Sequence, residues 1–384
     1  MAHTSMEILF FFSLLAILYV YAGYPILVYC LSLLKRETVL CVNYEPSVTI
    51  LIAAYNEERW IDETIRNKLE LDYPLHKLEI IVVSDGSTDR TDSIVNRYVN
   101  QCVRLIRQEP RAGKTAALNC VAKEAKNEIL VFADANSLYE RDALRKLVRN
   151  FADTSVGYVT GKMVYSNADG TLVGDGCSAY MKYENLLRFY ETRIHSVVGV
   201  DGGVDAIRKE LYRTMRPDQL PDFVLPLRVV EQGYRVVYEP EAVLREATLK
   251  TGADEYRMRV RVSLRALWAL WDMRHLLNAR KYGIFSWQLL SHKVLRYLAI
   301  LFLIGLFVSS MWLCSNNVFY TSALITQTIF YSMALLSAVS QELTRRIKLL
   351  YIPYYFTLIN VAAGHSLVKF LLGKKQIIWT PRKG

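Results

Sequence analysis

Glu128-Ile-Leu-Val-Phe-Ala-Asp134-Ala-Asn136 decides the fold of this chain. Its apolar run reads as a strand covered on both faces, as in a parallel sheet. It ends in a short acidic turn. In open α/β sheets, ligands bind beyond the carboxyl ends of the strands. Asp134 and Asn136 there offer hard oxygen donors to Mg²⁺ or Mn²⁺, and through the metal to a diphosphate. The alternative reading is an N-cap, because Asn136-Ser137 precede a helical run from Glu140 to Asn150.

The same pattern surrounds it. Val48–Ala53, Leu78–Val83 and Val103–Ile106 are short apolar runs. Glu58–Glu70, Thr88–Tyr98 and Lys114–Lys126 between them are helical with polar faces. This alternation predicts βαβ units and a mostly parallel sheet over residues 46–250. A further strand, Val156–Val164, and a long amphipathic helix, Gly174 to Arg193, extend it. The first strand ends in Ala53-Ala54-Tyr55-Asn56-Glu57, the second in Ser84-Asp85-Gly86-Ser87-Thr88-Asp89, and the third leads to Gly113-Lys114-Thr115. Each alone reads as a turn or a helix cap. Gly113-Lys114-Thr115 lacks the P-loop spacing. Four such turns at consecutive strand ends converge on one crevice.

The 384 residues carry a formal net charge of +10. Ile8 to Leu34 has no charge and exceeds the roughly 20 residues needed to cross a bilayer. It lacks the charged n-region and cleavage site of a signal peptide. Lys35-Arg36 follow it, which puts the next domain in the cytoplasm. Residues 1–36 are therefore expected to form a transmembrane helix. Residues 291–373 are expected to hold more, at Val294–Cys314, Val318–Ser340 and Leu349–Leu371. The loop Gln341–Lys348 and the tail 374–384 are both basic and belong on the cytoplasmic side. Four full spans would place the tail outside, so one segment is interfacial or re-entrant; Leu349–Leu371, which opens with Pro353 and paired tyrosines, is the suspect. Basic residues gather beside the apolar segments, which fits a lipid bilayer as partner and excludes nucleic acid. Cys30, Cys41, Cys102, Cys120, Cys177 and Cys314 show no CxxC spacing, so no zinc site is expected.

Residues 251–290 read as an amphipathic helix lying in the membrane interface. Arg257, Arg261 and Arg265 share one face at i, i+4 spacing, opposite Met258, Val262, Leu267 and Trp271. The arginines either form an interfacial stripe or reach a diphosphate.

The ordered set Ala53-x-Tyr55-Asn56-Glu57, Ser84–Asp89, Gly113-Lys114-x-x-Ala117-Leu118-Asn119, Asp134-Ala-Asn136, Gly199–Arg208 and Pro221-Asp222-Phe223 resembles glycosyltransferase family 2 from Val48 to Glu246. The resemblance implies an inverting GT-A fold that uses a nucleotide sugar, UDP-linked by first expectation. It implies that Ala53, Tyr55, Glu57 and Asp85 line the nucleotide and that Lys114 approaches its diphosphate. Asp134, with Asn136 in place of the family's second acid, would hold Mg²⁺ or Mn²⁺. Asp222 would be the catalytic base, and Asp201, Gly202 and Gly203 would floor the acceptor side. Capping of the following helix is the plainer role for Asp222, and a plain turn the plainer one for the glycines. The Gln-x-x-Arg-Trp motif of cellulose, chitin and hyaluronan synthases is absent at the arginine helix. That favours addition of one sugar to a lipid-linked or polysaccharide acceptor over processive synthesis. A non-catalytic nucleotide-sugar-binding subunit is the remaining alternative, drawn from Asn136 and Pro221.

Overall fold

The computed structural model describes residues 2–166, 172–247, 251–340 and 347–376. The expected loop charges Arg345 and Arg346 and tail charges Arg382 and Lys383 lie outside them.

Eight strands form one sheet: β1 (Val48–Ala54), β2 (Leu78–Asp85), β3 (Val103–Gln108), β4 (Ile129–Asp134), β5 (Leu138–Tyr139), β6 (Val156–Ser166), β7 (Asp205–Arg208) and β8 (Arg235–Ala247), in the order β3-β2-β1-β4-β7-β6-β8-β5. Strands β1 to β4 are mutually parallel. Every residue of β1 is buried, as befits a strand with helices on both faces. One face buries Ile50, Ile52, Val82 and Val131 beneath the helices Ile61–Leu69 and Ala143–Val148. The other buries Leu51, Ile81, Leu130 and Phe132 beneath Lys114–Glu124 and Pro221–Glu231.

The winding runs outward from β1 through β2 to β3, then returns to place β4 on β1's other side. The carboxyl ends of β1 and β4 therefore flank a switch-point crevice. Ala53 pairs with Asp134 across it, and Ala54 with Ser84. Strand β7 joins β4 antiparallel, with Asp205 opposite Phe132. The segment before β7 is thereby delivered to the mouth of the crevice.

Two helices are long and apolar enough to cross a membrane, Ala2–Leu34 and Val318–Val339, and a third crossing exists if the pair Ile284–Tyr297 and Ala299–Leu313, bent by 56°, counts as one. The expected continuous span Val294–Cys314 is thus broken at Leu298. The helix Tyr351–Leu371 does not reach that standard among the described residues. The first half of Ala2–Leu34 packs Phe10 against Leu306, Leu313 and Tyr320. Its second half packs Tyr24 and Val28 against Leu187 and Ile194 of the long helix Leu172–Ile194.

The arginine helix spans Gly252–Asp272 and starts at a Thr251 N-cap that accepts from the Asp254 N–H at 3.1 Å. It is a roof over the crevice. Val260, Leu264, Ala266 and Ala269 are buried. Ser366 of Tyr351–Leu371 donates to the Val260 carbonyl at 2.9 Å, and Arg259 donates to the Tyr355 hydroxyl at 2.7 Å. Beyond that helix, the Lys374 carbonyl accepts from Trp268 Nε1 at 2.9 Å, and Lys375 Nζ lies 2.7 Å from Asp218 Oδ2.

Candidate active site

The turns after β1 and β2 hold each other. Asn56 adopts φ of 54°, a left-handed conformation that asparagine tolerates better than most residues. Its Oδ1 accepts from the Thr88 N–H at 2.8 Å, and its own N–H donates to Ser87 Oγ at 3.2 Å. The Glu57 N–H donates to Thr91 Oγ1 at 2.9 Å, and the Glu58 N–H to Asp89 Oδ2 at 3.0 Å. Ser84–Asp89 is therefore a strut as well as a turn.

Asp85 is buried and accepts from the N–H groups of Ala112 and Gly113, each at 2.8 Å, and from Gln108 Nε2 at 2.7 Å. These bonds fix the loop that presents Lys114. Gly113 sits at φ of 91°, where a Cβ is strained. Above this loop the Arg111 guanidinium lies 3.4 Å from the Tyr55 ring centroid. Arg111 had no motif to point to it.

At the centre, Lys114 Nζ lies 2.5 Å from Asp134 Oδ1 and 4.0 Å from Asp222 Oδ1. Burial alone would lower the Lys114 pKa; Asp134 and Asp222 outweigh it and hold the ammonium above its usual range. Burial pushes the Asp222 carboxyl up, Asp134 adds to this, and Lys114 and Arg265 restrain it. Asp222 opens the helix Pro221–Glu231, with Pro221 ahead of it, and no side-chain cap is formed there. That removes the simple capping role. Gly202, at φ of 88°, sits against Asp222: a Cβ on it would lie 2.3 Å from Asp222 Cγ. No other residue type fits there without moving the carboxylate. Behind them Asp205 is wholly buried, and its carboxyl is pushed up to about 8, mainly by burial and further by Asp222 and Asp201.

Asn136 Nδ2 donates to the buried Glu246 Oε1 at 3.4 Å, which leaves its carbonyl oxygen as the free end of the amide. Among the described residues no three acidic, His or Cys side chains form a cage. One carboxylate and one amide oxygen suit an ion that shares its coordination with phosphate oxygens and water, so the donor set fits Mg²⁺ or Mn²⁺ arriving with a diphosphate.

The three arginines separate. Arg257 is exposed and pairs with Asp254 at 2.7 Å. Arg265 is buried and donates to Thr115 Oγ1 at 2.9 Å, to the Asp218 carbonyl at 3.3 Å and to the Gln219 carbonyl. It braces the segment leading into Asp222. Arg261 lines the same cavity as Asp134 and Asp222 and makes no hydrogen bond or ion pair among the described residues. Burial lowers its pKa, and the fields of Asp134 and Asp222 oppose this.

Next to Gly202, Asp201, expected on the acceptor side, is held by Arg188, with its two oxygens 2.5 and 2.6 Å from the guanidinium nitrogens. Arg188 Nε also donates to the Gly199 carbonyl at 2.9 Å. Gly203 gives its carbonyl to the Tyr139 hydroxyl at 2.8 Å. These contacts brace the acceptor-side loop. Arg188 belongs to a buried charged face, Glu184–Arg188–Glu191, on Leu172–Ile194. Its i, i+4, i+7 spacing was readable, but its partners His292, Lys293 and Arg296 come from about a hundred residues away. A cavity of about 300 Å³ joins the two sides. Ala53, Glu57, Lys114, Asp134 and Asp222 line one end, and His292, Lys293, Arg296, Tyr21 and Asn360 the other.

Residues 49–215 match the model of glycosyl transferase family 2. A probable glycosyltransferase of Bacillus subtilis is 31% identical over 232 residues, covering 56% of this chain and 54% of that protein. Poly-beta-1,6-N-acetyl-D-glucosamine synthase of Staphylococcus aureus is 28% identical over 235 residues, covering 59% of this chain and 56% of the synthase. The chain thus spans about half the length of the curated relatives it matches. A mannosyltransferase from Pyrobaculum calidifontis, solved with GDP-mannose and Mn²⁺, is similar over nearly its whole length: TM-score 0.70, 25% identity, 94% of this chain and 98% of that one. The crevice and its sheet have the GT-A fold, and residues 49–215, which carry most of them, are similar to glycosyl transferase family 2.

Proposed function

We propose that this chain is a membrane-bound glycosyltransferase of family 2, and that it moves one sugar from a nucleotide sugar to a membrane-presented acceptor, inverting the anomeric centre. The observation that carries the reading is the Lys114–Asp134–Asp222 constellation at the switch point, opening into a cavity that runs toward the apolar helices.

The nucleotide enters over β1 and β2, against Ala53, Tyr55, Glu57 and the loop fixed by Asp85. Lys114 and Arg261 face the departing diphosphate and stabilise the charge that builds on it. Asp134 and Asn136 would hold Mg²⁺ or Mn²⁺, which supplies Lewis-acid stabilisation of the leaving group. Asp222 accepts the proton of the attacking hydroxyl. Its raised pKa suits a base better than an ordinary aspartate, and Gly202 leaves room for the acceptor beside it. The basic residues after the first apolar helix favour a cytoplasmic catalytic domain.

UDP-linked donors are the first expectation. GDP-mannose in the Pyrobaculum enzyme makes GDP-linked donors the second. The synthase relative keeps chain extension as an alternative outcome.

Purified protein in nanodiscs with Mg²⁺ or Mn²⁺, presented with UDP- and GDP-sugars, tests the reading. Metal-dependent release of one nucleoside diphosphate, increased by membrane lipid extract, is expected. Tight nucleotide-sugar binding with no release from any donor, with or without extract, would point instead to the non-catalytic subunit.

A further inference from the structure

The far end of the cavity holds a cation that makes no hydrogen bond among the described residues. Lys293 stands in the π-helical turn Leu290–Val294, just before the bend into the apolar helix Ala299–Leu313. Its neighbours are committed. Arg188 is engaged by Asp201, Arg296 is bonded to Glu184, and His292 faces Glu191 at 2.7 Å and Glu184 at 3.4 Å. Lys293 Nζ approaches Glu184 at 3.6 Å, an ion pair longer than a hydrogen bond, and no hydrogen bond to it is formed among the described residues. Its side chain is 13% exposed, facing the cavity. Opposite it is Gly199, where a Cβ would lie 2.4 Å from Nζ. The glycine leaves the ammonium its place.

Burying a three-donor ammonium without acceptors is costly. A ligand oxygen relieves that cost best if it is anionic. The surroundings narrow the choice. The same cavity is walled by Tyr21 of Ala2–Leu34 and by Ile359 and Ala363 of Tyr351–Leu371, so an anion seated at Lys293 has apolar helices beside it. Asp222 and Arg261, another cation without a hydrogen bond among the described residues, line the same cavity.

We propose that Lys293 forms an acceptor subsite for a phosphate group carried by a membrane lipid, so that the glycosyl acceptor is a lipid phosphate or a lipid-phosphate-linked sugar. This rests on the transferase reading above and names the acceptor class. The donor diphosphate lies at Arg261 and Lys114 and the acceptor phosphate at Lys293, in the one cavity that Asp222 also lines. The membrane helices thereby contribute a residue to substrate recognition.

The test uses full-length protein in nanodiscs doped with a long-chain isoprenyl monophosphate, with the matching alcohol and with inorganic phosphate as separate probes. Binding is read by native mass spectrometry and by competition with transfer to lipid extract. The isoprenyl phosphate is expected to bind and compete, the alcohol not at all, and inorganic phosphate only at concentrations at least a hundredfold higher. Lys293→Gln should raise the acceptor KM at least tenfold while nucleotide-sugar binding stays within twofold, and Lys293→Arg should recover most of it. Gly199→Ala, which keeps the charge and displaces it, should act in the same direction and covers the case in which Lys293→Gln does not fold. Equal binding of phosphate and alcohol, or an unchanged KM in both Lys293→Gln and Gly199→Ala, overturns the subsite. Inorganic phosphate competing as well as the lipid overturns the lipid assignment. Failure of the transferase reading is separate: it appears as absent nucleotide release in the unmodified protein, whatever the lipid binding.

Discussion

The donor half and the acceptor half of the cavity are built on different principles. The donor half is made of consecutive strand ends whose turns bond to one another through backbone N–H groups: Asn56 with Thr88, Glu57 with Thr91, Asp85 with Ala112 and Gly113. The acceptor half is made of side-chain ion pairs between distant elements, Arg188–Asp201 and Glu184–Arg296. A nucleotide is a constant part of the substrate and can be met by a backbone template. An acceptor varies between enzymes and is met by exchangeable side chains on the helices. Damage should spread differently in the two halves.

The largest effect is expected at their junction. Asp222→Asn should lower kcat by about 10² to 10⁴, with nucleotide-sugar affinity within twofold in a titration; turnover close to the parent's would remove Asp222 as the base. Gly202→Ala comes next. Its Cβ overlaps the Asp222 carboxylate at a left-handed backbone, so kcat should fall by roughly 10², with about 1 kcal/mol of stability lost to strain; steady-state kinetics and thermal unfolding read the two parts.

The arginine pair sharpens the comparison. Arg265→Met takes a donor from the Asp218 carbonyl, Thr115 Oγ1 and the Gln219 carbonyl, the last keeping only the Thr115 hydroxyl, and should cost about 1–3 kcal/mol in unfolding. Arg261→Met breaks no internal bond. It should leave the unfolding transition in place and reduce kcat/KM for the donor by at least tenfold. If both variants lose stability equally, the division of labour along that helix is wrong.

The smallest effect is on pH. Asp222 must be ionised to accept a proton, and its pKa is raised. The acid limb of kcat/KM should therefore lie above the ordinary aspartate range near 3.9, with activity lost as pH falls through it. Lys114 restrains that rise, so Lys114→Met should move the limb of its residual activity to higher pH. A limb that stays put would separate the lysine from the base.

The donor half was legible because its signals are local. An apolar run followed by an acidic or glycine-rich turn fixes strand, turn and position at once; Ala53, Lys114, Asp134 and Asp222 line one cavity, while Asp85 holds the loop before Lys114. Strands β7 and β8 went unread, since Asp205–Arg208 is too short for a period and β8 carries Glu239, Glu241 and Glu246 along its length. The i, i+4 arginine spacing was read correctly as a stripe. Which arginine faces substrate depends on where the Pro217–Gln219 carbonyls fall, and no periodicity encodes that. Lys293 carries no signature because its meaning comes from Gly199 and Glu184, both far away in the chain.

The bonds at Trp268 and Asp218 fix a parity. Lys374 and Lys375 touch the catalytic domain, so the chain between Asp272 and Lys374 can only leave that side and come back: any bilayer in its path is crossed an even number of times. The bent pair ending at Leu313 and the helix Val318–Val339 have the length and apolarity for one such round trip if the pair counts as one span, while Tyr351–Leu371 packs along the roof of the crevice through Ser366 and Tyr355. With that round trip, Lys35 and Arg36 after the first apolar helix would share a side with Lys374 and Lys375, and the count of positive charges would agree with the count of crossings.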